Sequence, residues 1–123
     1  MAVRQVMHTP VATITSDETL AQAQALMLQA GVHQLPVVDG EALIAIVSRR
    51  DIDPHASYLE RTKVDAVMTH GPVTVASTEP VSKAANLLVE QNVNALPVVD
   101  DGRLVGIVSK TDLLRFVTAL LSR

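Results

Sequence analysis

At 123 residues, with a formal charge of −3 and no cysteine, the chain has the length of one ordinary domain and no means of forming disulfides, thiolate zinc sites or a cysteine nucleophile. One Phe, one Tyr and no Trp leave the core to Val, Leu, Ile, Ala and Met, a mix that suits a compact α/β domain. The net acidity and scarce aromatics argue against nucleic-acid binding, and no apolar run approaches the ~18 residues that span a bilayer. Without a signal-like start, the expectation is a soluble, cytoplasmic protein with no membrane partner.

In chain order, Ala12 to Ile14 reads as a short strand entered through Pro10. Thr15 and Glu18 have capping-box spacing ahead of an apolar stripe at Leu20, Ala23, Met27 and Ala30, which predicts a helix, and Gly31 sits where a left-handed residue would stop it. Leu35 to Val38 and Leu43 to Val47 are strands separated by Asp39-Gly40, a hairpin signal. A helix begins after Ser48, but Pro54 lies too far along to belong to its first turn and should break it, leaving Asp53 to Lys63 as a polar linker.

The order then recurs. Val73 to Ala76 is a strand entered through Gly71-Pro72; Ser77 or Thr78 can cap a helix that tolerates Pro80 in its first turn and that Asn92 stops. Leu96 to Val99 and Leu104 to Val108 form a hairpin around Asp101-Gly102, and a last helix runs through Leu113, Leu114, Phe116, Val117 and Leu120. Met7 and Met68, Thr13 and Thr74, Ala23 and Ala84, Pro36 and Pro97, Ser48 and Ser109, and Asp51 and Asp112 all stand 61 positions apart. Two units follow, 1–60 with its linker and 61–123, each strand, helix, strand, strand, helix. A unit of about 60 residues is marginal alone, so the two should share a core.

Ser48 and Ser109 fall where a strand ends and a helix begins, where free N–H groups and the helix dipole favour phosphate. Arg49 and Arg50 supply cations beside one, Lys110 beside the other, and Asp51 and Asp112 could accept ribose hydroxyls one turn on. Ser-x-x-Asp is equally the spacing of a helix-capping box, and spacing alone favours that explanation; one side chain can serve both roles. His8, His33, His55 and His70 form no i+4 pair and no acidic cluster, so no metal site is expected, although His33 could contact phosphate. No nucleophile and base arrangement and no Gly-rich phosphate loop stands out, so catalysis is not expected.

The Leu-Pro-Val-Val-Asp strand, the Asp-Gly hairpin, the Gly106-Ile107-Val108-Ser109 strand end and the Ser-x-x-Asp step resemble the tandem cystathionine-beta-synthase (CBS) domain pair, or Bateman module, from about Val3 to Leu121 and twice in register. The resemblance implies two β-α-β-β-α repeats packed with pseudo-twofold symmetry and clefts that bind regulatory adenosyl ligands: AMP, ADP, ATP or S-adenosylmethionine. It requires no cofactor. Binding would shift the packing of the repeats, to be read by an effector protein or a second subunit. No attached effector is expected, because the repeats consume the chain.

The family's clefts are crossed. Carried over residue by residue, one site combines Ile107, Ser109, Lys110, Thr111 and Asp112 with Met7, Ala12, Val32 and His33; its twin combines Ile46, Ser48, Arg49, Arg50 and Asp51 with Met68, Val73, Val93 and Asn94. Apolar members would hold the adenine faces while backbone near Val32 or Val93 reads its edge. Pro54 makes the Asp112 site the better formed, whereas Arg49 and Arg50 make the other more cationic. The terminal helix, through Leu113, Phe116, Val117 and Leu120, is the expected homodimer surface. The alternative is a protein-interaction or dimerisation module with empty clefts.

Overall fold

The apolar runs on either side of each Gly-containing turn form antiparallel hairpins in the computed structural model, which describes residues 1–122. Strand β1 (Gln34–Asp39) pairs with β2 (Ala42–Ser48), and β4 (Ala95–Asp100) pairs with β5 (Arg103–Ser109). Both hairpins carry an irregularity at the same repeat position, Val37/Val38 and Val98/Val99. The second loop is Asp101-Gly102 as expected, with φ of 51° and 78°, values that suit the right-handed twist of a two-residue hairpin. The first loop lies one residue later than expected: Asp39 still pairs with Ala42, so Gly40-Glu41 makes the turn.

Helix α1 (Leu20–Ala30) starts later than Thr15 and Glu18 suggest. Thr15 donates to the Asp17 carboxylate at 2.6 Å, so the cap passes to Thr19, whose hydroxyl accepts from the Gln22 N–H at 3.2 Å while Gln22 Oε1 accepts from the Thr19 N–H at 2.8 Å. Helix α3 (Val81–Glu90) has Pro80 at its N-cap and no side-chain cap. Ser77, an expected cap, instead donates to Asp100 Oδ2 at 2.5 Å, and Glu79 Oε1 accepts from the Ala76 N–H at 2.9 Å in the turn before the helix. Gly31 (φ 68°) and Asn92 (φ 52°) adopt the left-handed conformation just past α1 and α3.

Pro54 has the expected effect. Helix α2 (Arg49–Ile52) is four residues long and gives way to 3-10 turns over Asp53–Tyr58, whereas its repeat counterpart α4 (Lys110–Leu121) runs for twelve. The strands expected at Ala12 and Val73 shrink to single parallel bridges, Ile14 with Val37 and Val75 with Val98. A pairing not legible in the sequence replaces them. Strand β3 (Thr69–His70) lies antiparallel to β2, with Ile46 opposite Thr69, and His8 makes the matching bridge to Ile107.

Two compact units result, and their boundaries are not those of the sequence repeat. The early unit is Ala12–Pro72; the late unit joins Met1–Val11 to the chain from Val73 onward. In the early unit, Val64, fully buried, closes a core of Ile14, Leu20, Met27, Leu35, Val37, Val47 and Ile52. Its N–H donates to Glu18 O at 2.8 Å, and Asp65 N–H to Ser16 O at 3.0 Å. In the late unit Val3 does the same for Val75, Ala84, Leu88, Leu96, Val98 and Val108, with its N–H on Glu79 O at 2.8 Å and Arg4 N–H on Ser77 O at 2.9 Å.

The hydroxyl and N–H of Ser77 hold the Asp100 carboxyl below its ordinary value, since both hydrogen bonds favour the charged form. A carboxyl lowered in the folded state stabilises the fold above its unfolded pKa, and this contribution is lost as pH falls through the lowered value. Chemical denaturation of Asp100→Asn is therefore expected to show a weaker loss of stability than wild type below about pH 4. Parallel pH profiles for the two proteins would contradict the assignment.

Candidate functional site

The Ser-x-x-Asp steps are positioned by hairpins that deliver a serine to a helix start with extended backbone, φ −119° and ψ 167° at Ser48, φ −112° and ψ 165° at Ser109. Both steps form the capping box. Ser109 Oγ accepts from the Asp112 N–H at 3.1 Å, and Asp112 Oδ2 accepts from the Ser109 N–H and hydroxyl, each at 2.9 Å. At Ser48 and Asp51 the same three distances are 3.3, 2.9 and 3.0 Å. The capping explanation is thus realised twice, and it engages one carboxylate oxygen of each aspartate.

The other oxygens differ. Asp51 Oδ1 accepts from the Thr69 hydroxyl at 3.3 Å. Asp112 has half-buried surroundings and, among the described residues, no hydrogen bond at Oδ1. Thr69 carried no signal in the sequence beyond its place after Met68; only the β2–β3 register puts it against Ile46 and within reach of Asp51.

Of the expected site residues, the late unit holds Met7, Val73, Val93, Asn94, Ile107, Ser109, Lys110, Thr111 and Asp112. It brings Met7 to the strand end: the Met7 side chain lies against Gly106, and His8 and Ile107 exchange backbone hydrogen bonds of 2.7 and 3.1 Å. Lys110 N–H donates to Asn94 O at 2.9 Å, which joins the start of α4 to the residue ahead of β4. A cavity of about 280 Å³ beside Asp112 is lined by Gln5, Val6, Arg115 and Phe116. Gln5, Val6 and Arg115 were not named as site residues: Arg115 follows Asp112 by three on α4, a spacing that could have flagged it, whereas Gln5 and Val6 are far away in the chain and no spacing ties them to Asp112.

The early unit holds Ala12, Val32, His33, Ile46, Ser48, Arg49, Arg50, Asp51 and Met68. Arg49 N–H donates to His33 O at 3.0 Å, and Val32, His33 and Arg49 line a cavity of about 520 Å³ with Met27, Leu28, Ile52 and Asp53. Arg49, Ile52 and Asp53 of α2 and its C-cap border this cavity, and Asp51 is not among its lining residues. Arg50, Lys110 and Thr111 are exposed.

Among the described residues no group of three or more His, Asp or Glu is placed to hold a metal, and no helix is long and apolar enough to cross a membrane.

Three comparisons bear on the family. The CBS domain model matches residues 3–53 and 64–119. A CBS domain-containing protein of Dictyostelium discoideum is 34% identical over 97% of this chain and 92% of that protein. Other curated relatives are longer, the chain spanning 13% to 36% of three of them. Among solved structures, the Arabidopsis thaliana CBS-pair protein CBSX2 superposes with a TM-score of 0.89 at 25% identity, covering 99% of this chain and 97% of that one. The CBS domain pair of protein MJ0100, in complex with 5′-methylthioadenosine and S-adenosyl-L-methionine, superposes with a TM-score of 0.81 at 27% identity over 98% of each chain.

A methyl group on Gly106 would lie 2.6 Å from the Met7 sulfur. Gly106→Ala is expected to cost about 1–3 kcal/mol in urea unfolding, and Met7→Ala in the same chain to recover part of it. Simple additivity of the two substitutions would disprove the contact.

Proposed function

Because the chain belongs to the CBS domain family, with two repeats in tandem, we propose that it is a regulatory module that binds an adenosyl ligand and passes the bound state to a partner. The observation that carries this reading is the Asp112 carboxylate. One oxygen is committed to the cap of a twelve-residue helix, while the other is left as an acceptor beside an open cavity. A charged acceptor of this kind suits the hydroxyls of a ribose.

Ser109 and Asp112 are the proposed ribose anchors, with Lys110 and Thr111 near the anionic part of the 5′ substituent. The remaining positions carried over for the Asp112 site, Met7, Ala12, Val32, His33 and Ile107, are proposed for the adenine. The ligand class is a 5′-substituted adenosine, AMP, ADP, ATP or S-adenosylmethionine. The MJ0100 pair, crystallised with two compounds of this class, supports it.

Thermal unfolding against that panel tests the proposal. A ligand at about 100 times its dissociation constant should add roughly 2.7 kcal/mol of stability. The shift should vanish in Asp112→Ala. No shift from any member at millimolar concentration would end the adenosyl reading.

One observation favours an interaction surface as well. On α4, Leu114, Val117, Leu120 and Leu121 are exposed, whereas Leu113 packs against the late unit's core. Of the four residues named for a homodimer, Leu113 is therefore committed within the chain, and Val117 and Leu120 remain available. Sedimentation equilibrium should find a dimer that Val117→Asp dissociates; a monomer at all concentrations would discard this surface.

A further inference from the structure

Resting on the adenosyl reading above, we infer that the two Ser-x-x-Asp steps are not equivalent sites. Asp112 is the single ribose-anchoring carboxylate of the chain, and Thr69 converts Asp51 into a structural clamp. Thr69 is the positioning residue that decides this.

Both Asp51 oxygens are engaged within the protein, Oδ2 by the Ser48 N–H and hydroxyl at 2.9 and 3.0 Å, Oδ1 by the Thr69 hydroxyl at 3.3 Å. The clamp ties β3 to the start of α2, a helix too short to hold its own first turn firmly. A diol arriving there must displace the Thr69 hydroxyl before it gains its own hydrogen bond, so much of that bond's contribution cancels.

The repeat position of Thr69 is His8, and no hydrogen bond joins His8 to Asp112 among the described residues. Two further substitutions separate the steps. The repeat counterpart of Arg115, which lines the cavity beside Asp112, is Pro54; that of Gln5 is Ala66. Arg115 and Gln5 thus line the space beside Asp112 at the places where the early unit has a helix breaker and a methyl group, and the early unit's Arg49 instead lines the cavity beside Val32 and His33.

The test is calorimetric stoichiometry on the full chain with 5′-methylthioadenosine and AMP as probes. Wild type should bind one molecule per chain. Asp112→Asn should weaken binding at least about tenfold, the loss of a hydrogen bond to a charged acceptor, while Asp51→Asn should change it by no more than about twofold. Thr69→Val, which frees Asp51 Oδ1 without altering the fold's apolar contacts, should admit a second molecule per chain and covers the case in which Asp51→Asn fails to fold. Two equal sites in wild type, loss of binding in Asp51→Asn, or a stoichiometry still at one in Thr69→Val would overturn the assignment while leaving the adenosyl reading intact. No binding of either probe to wild type would overturn both.

Discussion

Each core closes only when a valine from a distant stretch of chain enters it. Val3 and Val64 are fully buried, and their N–H groups reach Glu79 O and Glu18 O at the same 2.8 Å. A stretch of about 60 residues is near the lower limit for a stable hydrophobic core, and one fully buried valine contributes about 1.5–3 kcal/mol. These plugs are thus a large share of the margin. They also have a geometric consequence. The segment that carries Val3 continues into Met7 and His8, which are thereby held against Gly106 and Ile107, and the segment that carries Val64 continues into Thr69, held against Ile46. The surroundings of both aspartates follow from where the valines dock.

The second determinant is one proline. Two helices begin with the same Ser-x-x-Asp cap and nearly the same hydrogen bonds, yet one lasts four residues and the other twelve. Pro54 lacks an N–H and clashes with the preceding turn, so α2 cannot extend. The face of α1 that a longer helix would cover is left as the larger cavity, lined by Val32, His33 and Arg49, while α4 packs on α3 in the late unit. An asymmetry that looks minor in an alignment of the two halves therefore gives the molecule two different surfaces.

The cap at Asp112 leaves room for the proposed ligand contact because a carboxylate has two oxygens and the cap uses one. The same economy is closed to Asp51, whose second oxygen meets Thr69. A residue that stabilises a helix start is already oriented and desolvated on one side. Such preorganisation lowers the cost of recruiting it for a ligand.

Local chemistry was enough to reveal the repeat, the two hairpins, the break at Pro54, the left-handed stops at Gly31 and Asn92, and the family resemblance. These depend on local chemistry: β-branched runs, residues that tolerate positive φ, and a ring that forbids helix. It also placed the capping serines and aspartates, since a cap is a contact between residues three apart. Folding itself settled that Thr19 rather than Thr15 caps α1, that the expected opening strands reduce to single bridges, that Met1–Val11 belongs with the second repeat, and that Thr69 engages Asp51. Each of these turns on partners far apart in the chain, or on competition between two local hydrogen bonds of similar strength. No spacing rule ranks such alternatives, because the burial that separates them exists only once the core has closed.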